Sequence, residues 1–411
     1  MENSKPETFR SAFLSLMSER GFIHQCTDFA ALDSLLSDGQ VTGYVGFDAT
    51  AESLHVGHLV SLMSLRHLAA CGHRAIALMG GATTMVGDPS FRNSARPMLS
   101  EAGVAANLQG IRSNVSSVMS GHEGSLTFVN NADWLCGIGM IDFMRSVGTQ
   151  FTVARMLSME SVSARLDAGQ PMTMMEFSYM MLQAADFLEL SRRHGCVLQM
   201  GGSDQWGNIV NGIELARRTD GASLFGLTTP LLATASGEKM GKSANGAVWL
   251  SADRLPPADF WQFWRNVDDA DVGRFLALFT ELPMDTVRSL SPGSGQALNE
   301  AKRILANEVT AIVHGRAAAR EAEARAAGLF GDSPAGVSHT VEAPGGTVGL
   351  LDLMLEVGLA QTKGEARRLI RGSGVRLDGT TVADEKLSIP VGPEPVLISV
   401  GKKRRALVAF R

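Results

Sequence analysis

Residues Val41–Phe47 are rich in β-formers and give way, across the turn-like Asp48–Ser53, to a helical period through Leu59, Leu62, Met63, Leu65, Arg66 and Leu68. Strand, loop and helix in direct succession constrain a fold strongly, because a parallel neighbouring strand is reached only through such a crossover. Further short apolar runs at Ala75–Met79, Leu126–Val129 and Val197–Met200 are bounded by helical stretches and Gly-rich turns. This alternation predicts an α/β fold with a Rossmann-like, doubly wound parallel sheet. From about Ala252 to Phe330 the pattern is helical without a strand signal, and Gly331–Gly346 reads as a linker rich in Gly, Pro, Ser and Thr. The expected partition is a Rossmann-like domain over 1–250, a helical domain over 251–330, a linker over 331–346 and a small α+β domain over 347–411.

Composition excludes some classes. With 45% apolar and 19% charged residues the chain is neither disordered nor a polyelectrolyte. No run of ~18 apolar residues occurs, and Lys5, Glu7, Arg10, Glu19 and Arg20 interrupt Met1–Cys26, so neither a span nor a signal core is expected and the default location is cytoplasmic. Cys26, Cys71, Cys136 and Cys196 form no CxxC pair, which predicts no thiolate metal site and no disulfide framework, only small buried apolar residues. The net charge of −5 conceals an asymmetry: Thr347–Arg411 carries 11 Lys and Arg against 7 Asp and Glu. A basic tail on an acidic body points to a polyanionic partner held through the tail.

Four segments carry candidate chemistry. Asp48–His58, DATAESLHVGH, lies where the first strand turns into a helix, the place where a parallel sheet binds ligands and helix N–H groups face an anion. His55 and His58 stand three residues apart, Gly57 has no Cβ to keep a flat ring from the backbone, and Thr50 adds a hydroxyl. Such donors suit phosphate or ribose oxygens, although two histidines at a helix start can also be capping or surface groups. Glu238–Ser243, EKMGKS, offers Lys239 and Lys242 around Gly241, a cationic arm for nucleotide phosphates or a solvated loop. On the apolar helix expected in Thr173–His194, Tyr179, Gln183 and Asp186 project from one face, towards a ligand or towards water. In Gly201–Asn208, GGSDQWGN, Asp204 can accept from both ribose hydroxyls, Gln205 can donate to a carboxylate and Gly202 permits close backbone approach; a turn with a helix cap is the plainer alternative.

HVGH followed by KMGKS resembles the paired signatures of the class I aminoacyl-tRNA synthetases, and TGYVGFDATAESLHVGH, GGATTMVGDPS, EFSYMMLQAADF and GGSDQWGN narrow the resemblance to the bacterial tyrosine-specific branch over nearly the whole chain. The resemblance implies ligation of L-tyrosine to tRNA(Tyr) at the expense of ATP, with Mg2+ carried on the ATP phosphates and no metal cage in the protein. By the same resemblance Tyr44 and Asp186 bind the phenolic hydroxyl, Tyr179, Gln183 and Asp88 hold the α-amino group, and Gln205 meets tyrosine. Asp48, Thr50, His55, Gly57, His58, Gly202, Asp204, Lys239 and Lys242 are implied on the ATP side, with Thr50, His55, His58, Lys239 and Lys242 as the catalytic donors. Departures are modest: Gly241 replaces a serine, Arg92 a lysine and Ala49 a common proline, and roles for Arg92 and Arg96 stay open. The tail, QTKGEARRLIRGSGVRL with later short strands, resembles an S4 RNA-binding domain, with Lys363, Arg367, Arg368 and Arg371 as a phosphate-facing stripe. A homodimer is implied by the family, and the Met- and Leu-rich stretch between Trp134 and Met175 has apolar residues to spare for one. Rival readings are a tryptophan ligase, a small-molecule adenylyltransferase, which would have no use for an RNA-binding tail, and a catalytically silent RNA-binding protein on the same scaffold.

Overall fold

The computed structural model describes residues 5–90, 99–235, 240, 242–243, 246–291, 294–330, 339–341, 346–392, 395–401 and 404–410. The chain divides into two compact units, Met1–Ala319 and Arg320–Arg411.

The first unit is built on a six-stranded sheet. Its strands are β1 (Gln25–Cys26), β2 (Thr42–Asp48), β3 (Arg74–Gly80), β4 (Leu126–Asn130), β5 (Cys196–Gly202) and β6 (Phe225–Thr229), in the order β1-β6-β5-β2-β3-β4. All neighbours pair in parallel except β1, which runs antiparallel to β6. The chain winds from β2 outward through β3 and β4, then crosses back to place β5 on the other side of β2, so the winding reverses between β2 and β5. At such a switch point the two adjoining loops part and leave a crevice at the carboxyl ends of the strands. Strand β3 is buried at six of its seven positions and β6 throughout, as expected of strands covered on both faces.

Two helices shape the crevice. Val56–Ala70 follows β2 directly and is apolar on most sides, with ten of its fifteen residues buried, because it runs beneath the rest of the unit rather than along its surface. Met174–His194 begins with a capping box in which the Thr173 hydroxyl accepts from the Glu176 backbone while the Glu176 carboxylate accepts from the Thr173 backbone, and ends at Gly195 in the left-handed conformation. Arg165 donates to Glu176 at 2.6 Å and to the Pro171 carbonyl, and both charged groups are buried, so the start of this helix is pinned to the segment before it. The helical stretch after residue 250 packs around Trp264, whose ring meets Phe275 and Phe279 at 5.8 and 5.0 Å.

Beyond the first unit's sheet, Lys242–Ser243 (β7) and Gly246–Ala247 (β8) form a two-residue hairpin pair. The second unit contains β9 (His339–Val341), β10 (Thr347–Gly349), β11 (Val375–Leu377), β12 (Thr380–Thr381), β13 (Ser388–Pro390), β14 (Val396–Val400) and β15 (Arg404–Phe410). Five of them form a sheet in the order β12-β11-β14-β15-β9, and β10 pairs with β13. The helices Leu350–Glu356 and Lys363–Arg371 bury Leu350, Leu353, Met354, Ala366 and Ile370 in its core. Here the structure differs from the linker expected over 331–346: β9 lies inside it, runs parallel to β15 and buries Val341. A three-residue strand with one apolar side chain has no periodicity to detect; it exists because β15 offers it a partner.

The cysteines also depart from expectation. Cys26 and Cys196 are buried, with burial pushing each thiol up to about 12, but Cys71 is half-buried and Cys136 exposed. Among the described residues no helix is long and apolar enough to cross a membrane, and no group of three His, Cys, Asp or Glu side chains could hold a metal ion.

Candidate active site

A cavity of about 590 Å³ opens at the carboxyl ends of β2 and β5. Its lining includes Tyr44, Asp48, Thr50, His55, Gly57, His58, Asp88, Tyr179, Gln183, Asp186, Gly202, Asp204 and Gln205, so the sequence candidates from three separate segments and from position 88 meet in one place. Lys239, Arg92 and Arg96 lie outside the described residues, as does the side chain of Lys242, whose backbone belongs to β7.

One end of the cavity is lined by buried polar groups. Tyr44 rises from the middle of β2, packed edgewise on Phe187 at 5.3 Å, and its hydroxyl is buried without a hydrogen-bond partner among the described residues. Asp186 is also buried; its Oδ1 accepts from Trp134 Nε1 at 2.8 Å and its Oδ2 from Asn131 Nδ2 at 2.9 Å. Burial raises its carboxyl to about 7 against these two donors, which favour the ionised form. The Tyr44 hydroxyl is held well above its usual range, first by burial and then by the nearby Asp186 charge. A carboxylate has about four lone-pair directions, so Asp186 retains acceptor capacity beyond its two protein donors.

A hydrogen-bonded chain leads away from this end. The Tyr179 hydroxyl donates to Asp48 Oδ2 at 2.9 Å, and Thr83 donates to Asp48 Oδ1 at 2.9 Å. Gln183 Nε2 donates to Gln205 Oε1 at 3.2 Å, and Gln205 Nε2 donates to Asp88 Oδ2 at 2.9 Å. Thus Asp48, at the tip of β2, joins Tyr179 to Thr83, while Gln205 is positioned through Asp88 and Gln183.

The other end is wetter. His55 caps the helix Val56–Ala70 and its Nδ1 accepts from the Gly57 N–H at 3.0 Å, an arrangement that places the ring proton on Nε2. His58 Nδ1 accepts from the His55 N–H at 3.3 Å, and the two rings lie 4.1 Å apart. The glycine between them is required by space: a Cβ on Gly57 would come within 2.7 Å of the His55 ring. Both imidazoles and Asp204 are half-buried and Thr50 is exposed, so this end is accessible to a charged, hydrated ligand.

Sequence reasoning missed Asn131, Trp134 and Gln199. Asn131 and Trp134 follow β4 immediately, and polar groups at the carboxyl end of a parallel strand were a signal that could have found them. Gln199 stands in the middle of the apolar β5, lines the cavity and keeps a buried Oε1 without a partner among the described residues. A lone amide in a central strand is the corresponding clue.

In the second unit, Lys363, Arg367, Arg368 and Arg371 are all exposed on one helix over buried Ala366 and Ile370. Two of the four already face acids: Lys363 pairs with Asp352 at 2.5 Å and Arg371 with Glu385 at 3.0 Å.

Residues 36–331 match the family described as tRNA synthetases class I (W and Y). The chain is 52% identical over 404 residues to a tyrosine–tRNA ligase of Pseudomonas aeruginosa (strain LESB58), covering 97% of each, and 51% identical over 411 residues to one of Xanthobacter autotrophicus, covering 98% of this chain and 99% of the relative. Among solved structures it is similar to a C-terminally truncated mitochondrial tyrosyl-tRNA synthetase of Aspergillus nidulans, with a TM-score of 0.71 and 28% identity over 78% of this chain and 95% of that one. A reversed α/β crevice carrying paired helix-start histidines, matched over most of its length by this family, leaves one assignment: the chain belongs to the class I tRNA synthetases of the tryptophan and tyrosine group.

Proposed function

We propose that this protein is a tyrosine–tRNA ligase, which converts L-tyrosine and ATP to tyrosyl-adenylate and pyrophosphate and then transfers tyrosine to the 3'-terminal adenosine of tRNA(Tyr). The observation that carries the reading is a buried Asp186 carboxylate near a Tyr44 hydroxyl that has no partner among the described residues. A phenol both donates and accepts, so it can donate to Asp186 and accept from Tyr44. An indole N–H only donates and would leave Tyr44 orphaned, and phenylalanine would satisfy neither, at the cost of desolvating both. Tyr179, Gln183 and Asp88 are assigned to the substrate's α-amino group and Gln205 to its carboxyl end.

The attacking carboxylate of tyrosine is already ionised at neutral pH, so the first step needs no general base. Its barrier lies in bringing two anions together and in spreading charge over the phosphates. Thr50, His55, His58, Lys239 and Lys242 are the donors assigned to that charge, with Asp48, Gly57, Gly202 and Asp204 holding the nucleotide and ribose. Mg2+ arrives with ATP, on the phosphates. The parts are assigned as a catalytic domain over 1–250, a helical domain over 251–330 and an RNA-binding domain over 347–411, whose cationic helix grips the tRNA backbone. A cytoplasmic homodimer is proposed, its contact made by the apolar segment that leaves Met140 79%, Ile141 71% and Met174 66% exposed.

Pyrophosphate exchange into ATP, assayed with each amino acid in turn, tests the specificity; exchange supported by tryptophan rather than tyrosine overturns it. Deleting 347–411 should spare exchange and abolish efficient charging of tRNA, and a deletion that spared both would remove the tail from the mechanism.

A further inference from the structure

The segment after the β7–β8 hairpin is fastened to the helix-start histidine. The Val56 N–H donates to the Val248 carbonyl at 2.9 Å and the Leu250 N–H to the Leu54 carbonyl at 2.9 Å. Between these two bonds lies the pair His55 and Trp249, an antiparallel bridge of the non-hydrogen-bonded kind, in which side chains stand closest and on the same side. Both side chains line the cavity. Their rings meet edge to face at 6.2 Å, so His55 is held between His58 on one side and Trp249 on the other.

Trp249 is in turn held from behind. The Arg254 guanidinium lies 4.5 Å from its ring centroid, and Arg254 is itself paired with Glu52, three residues before His55. The Ser251 N–H donates to Ser53 Oγ, which donates onward to Asn114, and the Leu54 N–H donates to the same Asn114 oxygen. The loop that precedes His55 and the strand end that carries Trp249 therefore form one closed frame. Neither Trp249 nor Arg254 has a part in the proposed chemistry.

We infer that Trp249, braced by Arg254 and Glu52, is a positioning residue that fixes the His55 ring with its Nε2–H directed at the developing phosphate charge. The inference rests on the adenylate-forming reading of the site. A freed imidazole could turn about its side-chain bonds and lose its alignment, and misplacement of about 1 Å at a reacting centre costs up to ~100-fold.

The test is a double-mutant cycle on the full-length enzyme, reading the rate of tyrosyl-adenylate formation and, separately, tyrosine affinity by equilibrium dialysis. Trp249→Ala should slow adenylate formation about 10-fold while tyrosine affinity and binding stoichiometry change less than about 2-fold, and Trp249→Phe should recover most of the rate because it restores a ring edge. Arg254→Ala, at the surface and harmless to folding, should slow the step about 3-fold. In a His55→Ala background, Trp249→Ala should add less than about 2-fold. A slow His55→Ala enzyme in which the Trp249 and His55 effects multiply would overturn this inference alone. A His55→Ala enzyme of unchanged rate would overturn the reading of the histidines and this inference with it. Loss of tyrosine-binding sites in Trp249→Ala and a normal rate in Arg254→Ala together would reduce Trp249 to a packing role.

Discussion

The two ends of the cavity solve opposite problems with similar polar residues. At the Tyr44–Asp186 end both groups are buried and keep unmet hydrogen-bonding capacity: a hydroxyl without a partner among the described residues and a carboxylate with lone pairs to spare. At the His55–Asp204 end the groups are half-buried or exposed, and the two histidines take their orientation from backbone capping. Desolvation makes the first end selective, since a ligand that fails to meet those valences leaves them unpaired where water cannot help. In the proposed reaction, accessibility would make the second end reactive, since a triphosphate brings its own charge and hydration and needs donors that can follow it.

The contrast can be broken first at Asp186. Asp186→Ala strips the acceptor and orphans the Trp134 and Asn131 donors, so tyrosine-dependent kcat/KM should fall about 1000-fold and the preference over phenylalanine should largely vanish. Steady-state exchange with both amino acids checks this; unchanged rejection of phenylalanine removes Asp186 from recognition. His55→Ala, at the other end, should lower the rate of adenylate formation about 100-fold with tyrosine affinity retained, as measured by stopped flow and dialysis. An equal loss of tyrosine affinity would show that the two ends are not separate.

The pH response sharpens the distinction further. The folded-state value of Asp186, about 7, lies above its ordinary 3.8, so the folded protein binds that proton more tightly than the unfolded chain does. Its contribution to stability is complete below about pH 4 and is lost as pH rises through 7, because stability falls wherever the native state holds more protons. Unliganded protein should therefore lose a few kcal/mol between pH 4 and 7, seen as a falling denaturation midpoint, and Asp186→Asn should flatten that slope. Tyrosine binding should move the other way, strengthening up to about 10-fold from pH 6 to 8 as the carboxylate becomes the ready acceptor. The smallest effect belongs to the exposed Thr50: Thr50→Val should slow adenylate formation about 3-fold, the worth of one hydrogen bond to a phosphate where water can take the place of the lost donor.

Legibility in the sequence follows the same divide. HVGH was readable because a capping geometry is local: the helix start, the intervening glycine and both rings lie within four residues. Tyr179, Gln183 and Asp186 were readable as one helix face, yet spacing alone left that face equally suited to water. Only the sheet, by setting Tyr44 of β2 against Phe187 of the helix, turned it inward. Asn131, Trp134 and Gln199 went unread, since each is ordinary in its own segment and matters for what lies across from it. Trp249 is the extreme case, a single aromatic beyond a loop, made informative by a two-bond ladder to residues nearly two hundred positions earlier. The short β9 strand failed for a related reason, having no pattern of its own until β15 pairs with it.

By itself the sequence determined the alternation of strands and helices, the helix-start histidines, the basic character of the tail and the kind of chemistry these suit, because each depends on residues near one another in the chain. The tertiary structure alone decided which polar groups are buried and which are wet. Desolvation is a property of everything packed around a group. It raises the Asp186 carboxyl to about 7, while strand pairing across the fold sets Trp249 against His55.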